Sequence, residues 1–395
     1  MNDRPHVLVY FFDAGGGHRA TANALMAATS ARDPGFTMTA VSLRDVLGEI
    51  DWARRLTGLS VEEGYNGMVR RGFTAGLVPL LRGLQWVVRR VHGRLVRLIA
   101  RDLEQRRPTL VVSVIPNFNA PLRDAVHRAL PGVPFVVLMT DYFDFPPHFW
   151  LEPGLDGVVA GHAAAIEAAA GLGIGAERVS VTSGMVLHPR FYPRPDRTVR
   201  ERVRAELGIP SDRFVFLLLY GGKGAPEMSP LAEALLGTCA DAHVVAIGGD
   251  NPALVERMTA AVPRWAGRFH PMGFTPRVAE LMTASDLLVT KPGPGTLAEA
   301  FHIGLPVIVT ENAFTVPQER ANARWVERDG LGFVVAHWRE IGPLARGLLE
   351  SPSRLEHVRL RVARLPENRA LFEALERLTV LARGRRETVA SAVAG

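Results

Sequence analysis

The sequence predicts an α/β protein built from two doubly wound domains. Three observations carry that prediction. Apolar, β-branched runs alternate with longer segments of helical period, the signature of βαβ units and parallel sheets. A proline-rich break, LHPRFYPRPD at 187–196, divides the series, and on each side the pattern restarts with a strand followed by a glycine-rich turn. The 395 residues also exceed one ordinary core and suit two domains, which implies a cleft between them. The expected division is 1–195, 196–370 and a final helical stretch, 371–395.

In chain order, the first half places strands at 7–12 (VLVYFF), 36–41 (FTMTAV), 110–115 (LVVSVI), 135–139 (FVVLM) and 157–160 (GVVA). The second half places them at 214–219 (FVFLLL), 243–247 (HVVAI), 286–290 (DLLVT) and 306–310 (PVIVT). Most are continuously apolar, as strands covered on both faces must be. Between them, 77–107 reads as one long amphipathic helix. Counted from Leu84 at ~100° per residue, Val87, Val88, Val91, Leu95, Leu98 and Ile99 share one face. Arg82, Arg89, Arg90, Arg94, Arg97 and Arg101 fill the other, and Trp86 sits among these arginines. Such a face is either simply solvated or suited to the headgroup layer of an anionic membrane.

Hydrophobic residues at 47% and charged residues at 22% describe a globular chain. The lone Cys239 excludes an intramolecular disulfide and suits a reducing cytosol. The first residues lack a basic-then-apolar leader pattern, and no run approaches the ~18 apolar residues of a spanning helix. Together these argue against export and insertion. A formal charge of +6 favours an anionic partner. Nucleic acid ranks low, because the basic residues are spread out and few aromatics interleave with them. No H-E-x-x-H, clustered Cys/His or D-x-D occurs, so no protein-bound metal and no cofactor are expected.

Four glycine-rich turns follow strands: DAGGGHRA at 13–20, YGGKGAPEM at 220–228, GGDNP at 248–252 and KPGPGTLAEA at 291–300. Backbone N–H groups in such turns, aided by a helix N-terminus, can hold an anion. The chain's two lysines, Lys223 and Lys291, both lie in them. Neither G-x-G-x-x-G nor G-x-x-x-x-G-K-[ST] is present, which argues against a nicotinamide dehydrogenase and a P-loop NTPase. The block 284–310 with 311–322 is the most informative. A strand leads through a proline–glycine turn into a helix bearing Glu299, and a second strand leads to Gln318, Glu319 and Asn322. A carboxylate just inside a helix aimed at phosphates can accept hydrogen bonds from a ribose diol, which outlines a nucleotide-diphosphate site.

At these residues the chain resembles the monogalactosyldiacylglycerol synthase family, with its bacterial processive diacylglycerol glycosyltransferases, relatives of the peptidoglycan N-acetylglucosaminyltransferase within family 28. DAGGGHRATANAL, EEGYNGMVRRG, MTDY, GMVLHPRFYPR, LLLYGGKGAPEM, PMGFTPRVAELMTASDLLVTKPGPGTLAEA and QERAN carry the resemblance over most of the length. It implies the GT-B fold, with two Rossmann-like domains facing across a cleft. The N-terminal domain takes the acceptor, the C-terminal domain takes the nucleotide sugar, and in relatives the last helix crosses back to the first domain.

Position by position, the resemblance implies that Phe274 and Thr275 contact the base and Glu299 the ribose. Gly221, Gly222, Gly293, Gly295 and Thr296 hold the diphosphate, and Gln318 and Glu319, with Asn322 beside them, face the sugar. Lys223 departs from the acidic or uncharged residue expected there and would strengthen phosphate binding or alter donor choice. The stretch 140–155 matches only in part. His18 corresponds to the histidine proposed to act on the acceptor, and an imidazole suits removal of a hydroxyl proton near neutral pH. Gly16 and Gly17 keep side chains away where donor and acceptor meet. Asp141 would orient His18, be the base itself, or cap a helix; His148 would line the acceptor side.

The expectation is an inverting transferase that moves a hexose or N-acetylhexosamine from a UDP-sugar co-substrate to a lipid or lipid-linked acceptor. It would sit in the cytoplasm, peripherally on the inner face of the cell membrane. Two alternatives stay open. A UDP-sugar 2-epimerase of the same architecture would draw on Asp13, Asp141, Glu299 and Glu319, and a non-catalytic nucleotide-sugar or lipid binding protein would need no base.

Overall fold

The computed structural model describes residues 4–12, 16–48, 77–193, 196–312 and 315–393, without the side chains of 77–80 and 384–393. Asp13 and the EEGYNGMVRRG stretch lie outside the described residues. The chain forms two units, one of residues 1–189 and 368–395, the other of 190–367.

In the first unit β1 (His6–Phe11), β2 (Thr37–Ser42), β3 (Leu110–Ser113), β4 (Phe135–Leu138), β5 (Gly157–Ala160) and β6 (Val179–Val181) form a parallel sheet in the order β2-β1-β3-β4-β5-β6. The register sets Val9 beside Ala40 on one side and Val112 on the other. Val7, Leu8, Val9 and Tyr10 are all fully buried, which is why this run is apolar without alternation. Burial of Tyr10 is made tolerable by its hydroxyl, which donates to Asp102 Oδ2 at 2.7 Å.

The second unit repeats the plan. β7 (Val215–Leu219), β8 (His243–Ile247), β9 (Phe269–Met272), β10 (Leu287–Thr290), β11 (Val307–Thr310) and β12 (Gly332–Val335) are parallel in the order β12-β11-β10-β7-β8-β9. In each sheet the winding reverses beside the first strand, so the loops leaving β1 and β3, and those leaving β7 and β10, open a crevice at the strand C-termini.

All nine expected strands are present, within a residue or two at their ends. Three others, β6, β9 and β12, were not expected. Each is a sheet edge of three or four residues and is less completely buried than the central strands, so its sequence never becomes a continuous apolar run. The expected long helix over 77–107 is two helices, Leu77–Arg90 and His92–Arg106, broken at Val91. Past the break the Val91 carbonyl accepts from both Arg94 and Leu95. His92 turns to pair with Asp124, Nε2 to Oδ2 2.8 Å, on helix Asn119–Ala129. The last helix, Ala370–Val393, belongs to the first unit. Its Glu373 accepts from the Ser183 amide at 2.7 Å and hydroxyl at 3.0 Å, and Asn368 donates to the Met185 carbonyl at 3.0 Å.

Candidate functional site

In the second unit the candidate side chains gather at the C-terminal ends of the strands. β7 runs out into Gly221, Gly222, exposed Lys223 and Gly224 before helix Met228–Thr238. β8 runs out into Gly248, Gly249, Asp250 and Asn251, the last capping helix Pro252–Ala261 by accepting from the Leu254 amide at 3.2 Å. These two loops touch. The Asp250 amide donates to the Gly222 carbonyl at 2.8 Å, and the Asn251 side chain donates to the Lys223 carbonyl at 3.2 Å. Gly249 has φ +63°, and a Cβ there would lie 2.2 Å from the Gly222 oxygen, so no other residue permits this approach. Beside it an open hollow is lined by Gly249, Asn251, Val255, Glu256, Gly273 and Phe274. Phe274 is 76% exposed.

At the next strand end, Lys291 and Pro292 lead to Gly293, which precedes helix Pro294–Ile303 with proline in its first turn. Gly295 is exposed and Thr296 half-buried at this N-terminus. Glu299, one turn further, is half-buried; burial pushes its carboxyl up to about 8, against the opposing pull of Arg190. From β11 the chain enters helix Pro317–Arg328, which carries Gln318, Glu319 and Asn322. Glu319 is buried and accepts from Lys291 Nζ at 2.6 Å. Asn322 is fully buried; it donates to the Pro292 carbonyl at 2.9 Å, and its Oδ1 has no partner. The unit thus joins Gly221, Lys291, Gly293, Glu319 and Asn322 in one place: a Cβ on Gly221 or Gly293 would each sit 3.6 Å from Lys291 Cε. Sequence reasoning put Lys291 among the phosphate loops but did not foresee its ion pair with Glu319.

In the first unit the opening loop leaves β1 through Gly16, whose φ of +84° makes it a left-handed N-cap for helix Gly17–Ala31. Gly16 and Gly17 are exposed, with open space where side chains would be. His18, half-buried, follows. Its Nδ1 lies 2.9 Å from Thr140 Oγ1, the ring bonds the Val114 carbonyl, and its centroid is 5.7 Å from that of Trp150. Desolvation lowers its pKa to about 4, so the imidazole is neutral at neutral pH.

Asp141 is buried beside this group, its Oδ2 accepting from the Trp150 indole at 2.9 Å. Trp150 is fully buried and held twice more: its amide donates to Asp144 Oδ1 at 2.7 Å, and its carbonyl accepts from Asn119 at 2.7 Å. Burial pushes Asp144 up to about 6, although the Trp150 and Leu151 amides pull it down. His148 pairs with Glu152, Nδ1 to Oε2 3.0 Å. Thr140 and Trp150 escaped sequence reasoning as partners of His18. Their contact spans more than a hundred residues, and only the sheet order brings β1 and β4 to either side of β3.

On helix Leu77–Arg90, Trp86 is 59% exposed and the Arg90 guanidinium stands over its ring at 5.4 Å. Arg89 and Arg90 are exposed while Val88 faces the core. Among the described residues no helix is long and apolar enough to cross a membrane.

Comparison with known proteins places these features. Residues 217–356 match the glycosyltransferase family 28 C-terminal domain. The chain is 28% identical to the chloroplastic monogalactosyldiacylglycerol synthase of Spinacia oleracea over 89% of its length and 69% of the relative's. It is 27% identical to monogalactosyldiacylglycerol synthase 1 of Arabidopsis thaliana, over 96% and 72%. Among solved structures, MurG of Acinetobacter baumannii aligns with a TM-score of 0.58 over 94% of this chain and 98% of that one, at 12% identity. The putative UDP-N-acetylglucosamine 2-epimerase of Listeria monocytogenes aligns at 0.59 over 97% of both chains, at 14% identity. These structural likenesses speak to the GT-B fold, which two six-stranded parallel α/β domains reproduce.

Proposed function

We propose that this chain, a glycosyltransferase with a family 28 C-terminal domain and a homologue of the monogalactosyldiacylglycerol synthases, transfers a hexose or N-acetylhexosamine from a UDP-sugar to a lipid or lipid-linked hydroxyl, with inversion. The observation that carries the donor half is the cluster of Lys291, Gly293, Glu299, Glu319 and Asn322 beside the Gly221–Gly249 contact. Uracil would lie at the hollow by Phe274 and Thr275, the ribose diol at Glu299, and the diphosphate against the glycine amides of 221–222 and 293–296 with Lys223 near. Gln318 and Glu319 would meet sugar hydroxyls, and Asn322, fully buried behind them, would hold the turn before Gly293 through the Pro292 carbonyl.

His18 is the base of this reading. Neutral imidazole takes the proton from the acceptor hydroxyl, the oxygen bonds the anomeric carbon, the bond to the diphosphate breaks, and UDP leaves with its electron pair. Backbone amides and helix N-termini stabilise the leaving group. Homology to enzymes named for a diacylglycerol product supports a lipid acceptor. The arginine face around Trp86 supports peripheral attachment to an anionic membrane, at the cytoplasmic leaflet.

The test is release of UDP from a panel of UDP-sugars, with and without dispersed diacylglycerol and extracted lipid, with products weighed by mass spectrometry. Lipid-dependent release with a glycolipid product is expected. Release that never responds to lipid would overturn the acceptor assignment, and interconversion of free nucleotide sugars without acceptor would overturn the transferase in favour of an epimerase.

A further inference from the structure

Gln85 lies on the helix whose outer face carries Arg82, Trp86, Arg89 and Arg90, yet it is only 7% exposed. A buried amide is costly unless its hydrogens are used. Its Nε2 sits 3.2 Å from each of three oxygens: Asn117 Oδ1, the Pro147 carbonyl and the His148 carbonyl. Two of the residues it grips, Asn117 and His148, have φ of +65° and +61°, a left-handed backbone that non-glycine residues hold only when surroundings enforce it. Beyond them the Asn117 amide donates to the Phe149 carbonyl at 2.6 Å. The next residue is Trp150, whose ring lies against His18 and whose indole is bonded to Asp141. The Gln85 amide is thus one of the groups that fix the bend leading into Trp150, alongside the bonds from Asp141, Asp144 and Asn119.

We infer that Gln85 is a positioning residue for His18, acting through the 145–150 loop and Trp150. This rests on the reading of His18 as the base. An apolar residue of equal size would fill the same space but would leave two loop carbonyls and the Asn117 oxygen without their donor. The loop could then relax its left-handed turns and draw Trp150 off the imidazole. Among the described residues, the charged groups on His18's own helix and on the 140–152 loop are Arg19, Asp141, Asp144, His148 and Glu152; substitution at 85 removes none of them.

The experiment compares the full chain with Gln85→Met and Gln85→Glu. Both keep the side-chain length and lose the donor, and the neutral Met variant separates loss of the donor from the added charge. For each, kcat and KM for UDP-sugar are measured, and the His18 imidazole is titrated by NMR against a His18→Ala reference. A fall in kcat on the order of tenfold or more is expected, as for small misplacement of a reacting group. Donor KM should stay within about twofold, because the substitution leaves the donor cluster alone. The His18 titration should move towards that of a solvated imidazole as the ring loses its cover. Parental kcat and an unmoved His18 titration in the folded variant would overturn the inference, as would a kcat loss matched by an equal loss of donor binding. If Gln85→Glu does not fold, Gln85→Met carries the same comparison. If His18→Ala itself keeps parental turnover, the assignment of His18 as base fails first, and this inference fails with it.

Discussion

His18 and Glu299 show how one physical term, removal from water, produces opposite protonation states. Desolvation disfavours charge on both, so the imidazole loses its proton readily and the carboxyl keeps its own up to about 8. For His18 the expected outcome of His18→Ala is a loss of roughly 10²–10⁴ in kcat, the range of general base catalysis, with UDP binding by calorimetry unchanged. For Glu299 the consequence is a proton balance. Ribose hydroxyls donate best to the ionised carboxylate, so donor binding should expel a proton near pH 7 and should tighten as pH rises from 6 to 9. Calorimetry in buffers of different ionisation heat reads that proton directly. Glu299→Gln should bind more weakly and lose the pH dependence. Both residues stand out in the sequence as candidates, because a histidine after three glycines and a glutamate after KPGPGT are local patterns. Thr140, Trp150 and the Lys291–Glu319 pair do not, since each contact joins strands or helices that no local pattern relates.

Among the secondary-structure elements, legibility followed burial. Central strands such as 7–10 and 215–218 are sealed on both faces and advertise themselves as unbroken apolar runs, whereas β6, β9 and β12 have one free edge and mixed composition. The amphipathic pattern of 77–106 was equally plain, but the break at Val91 was not, because apolar spacing continues through it and the His92–Asp124 pair lies off the helix. The outer face of the first of these helices is where the membrane reading can be tested. Each basic residue near an anionic bilayer contributes about 1 kcal/mol, so Arg89→Gln with Arg90→Gln should lower partition onto phosphatidylglycerol vesicles by roughly thirtyfold at low salt. Sedimentation with vesicles checks it. Trp86→Ala should add a loss that salt does not modulate, and partition that ignores both sets of changes would leave this face merely solvated.

For the whole molecule, the two units differ in how the chain builds them. The second is one continuous stretch, 190–367, with its own sheet and buried core, while the first needs both 1–189 and the final segment that anchors Glu373 and Asn368. The fragment 190–367 should therefore fold alone and bind UDP with the affinity of the full chain, yet transfer no sugar, because His18 is absent. It also carries a pH response. His243 Nδ1 and His270 Nε2 lie 3.1 Å apart with nearly parallel rings, and desolvation lowers both groups, His270 to about 4 with a further push from His243. Depressed folded values mean that the unfolded chain binds more protons, so stability rises with pH through this window. The contribution is fully present above the ordinary histidine value of 6.5 and is lost progressively as pH falls towards about 4. Because Glu299, whose carboxyl is pushed up to about 8, gives the opposite trend between 4.5 and 8, the test uses the fragment with Glu299→Gln: urea unfolding at pH 7.5, 6 and 5 should then show falling midpoints with constant slope, and His270→Phe should flatten the trend. A midpoint that does not move between pH 7.5 and 5 would mean that the imidazole pair carries its proton as easily folded as unfolded.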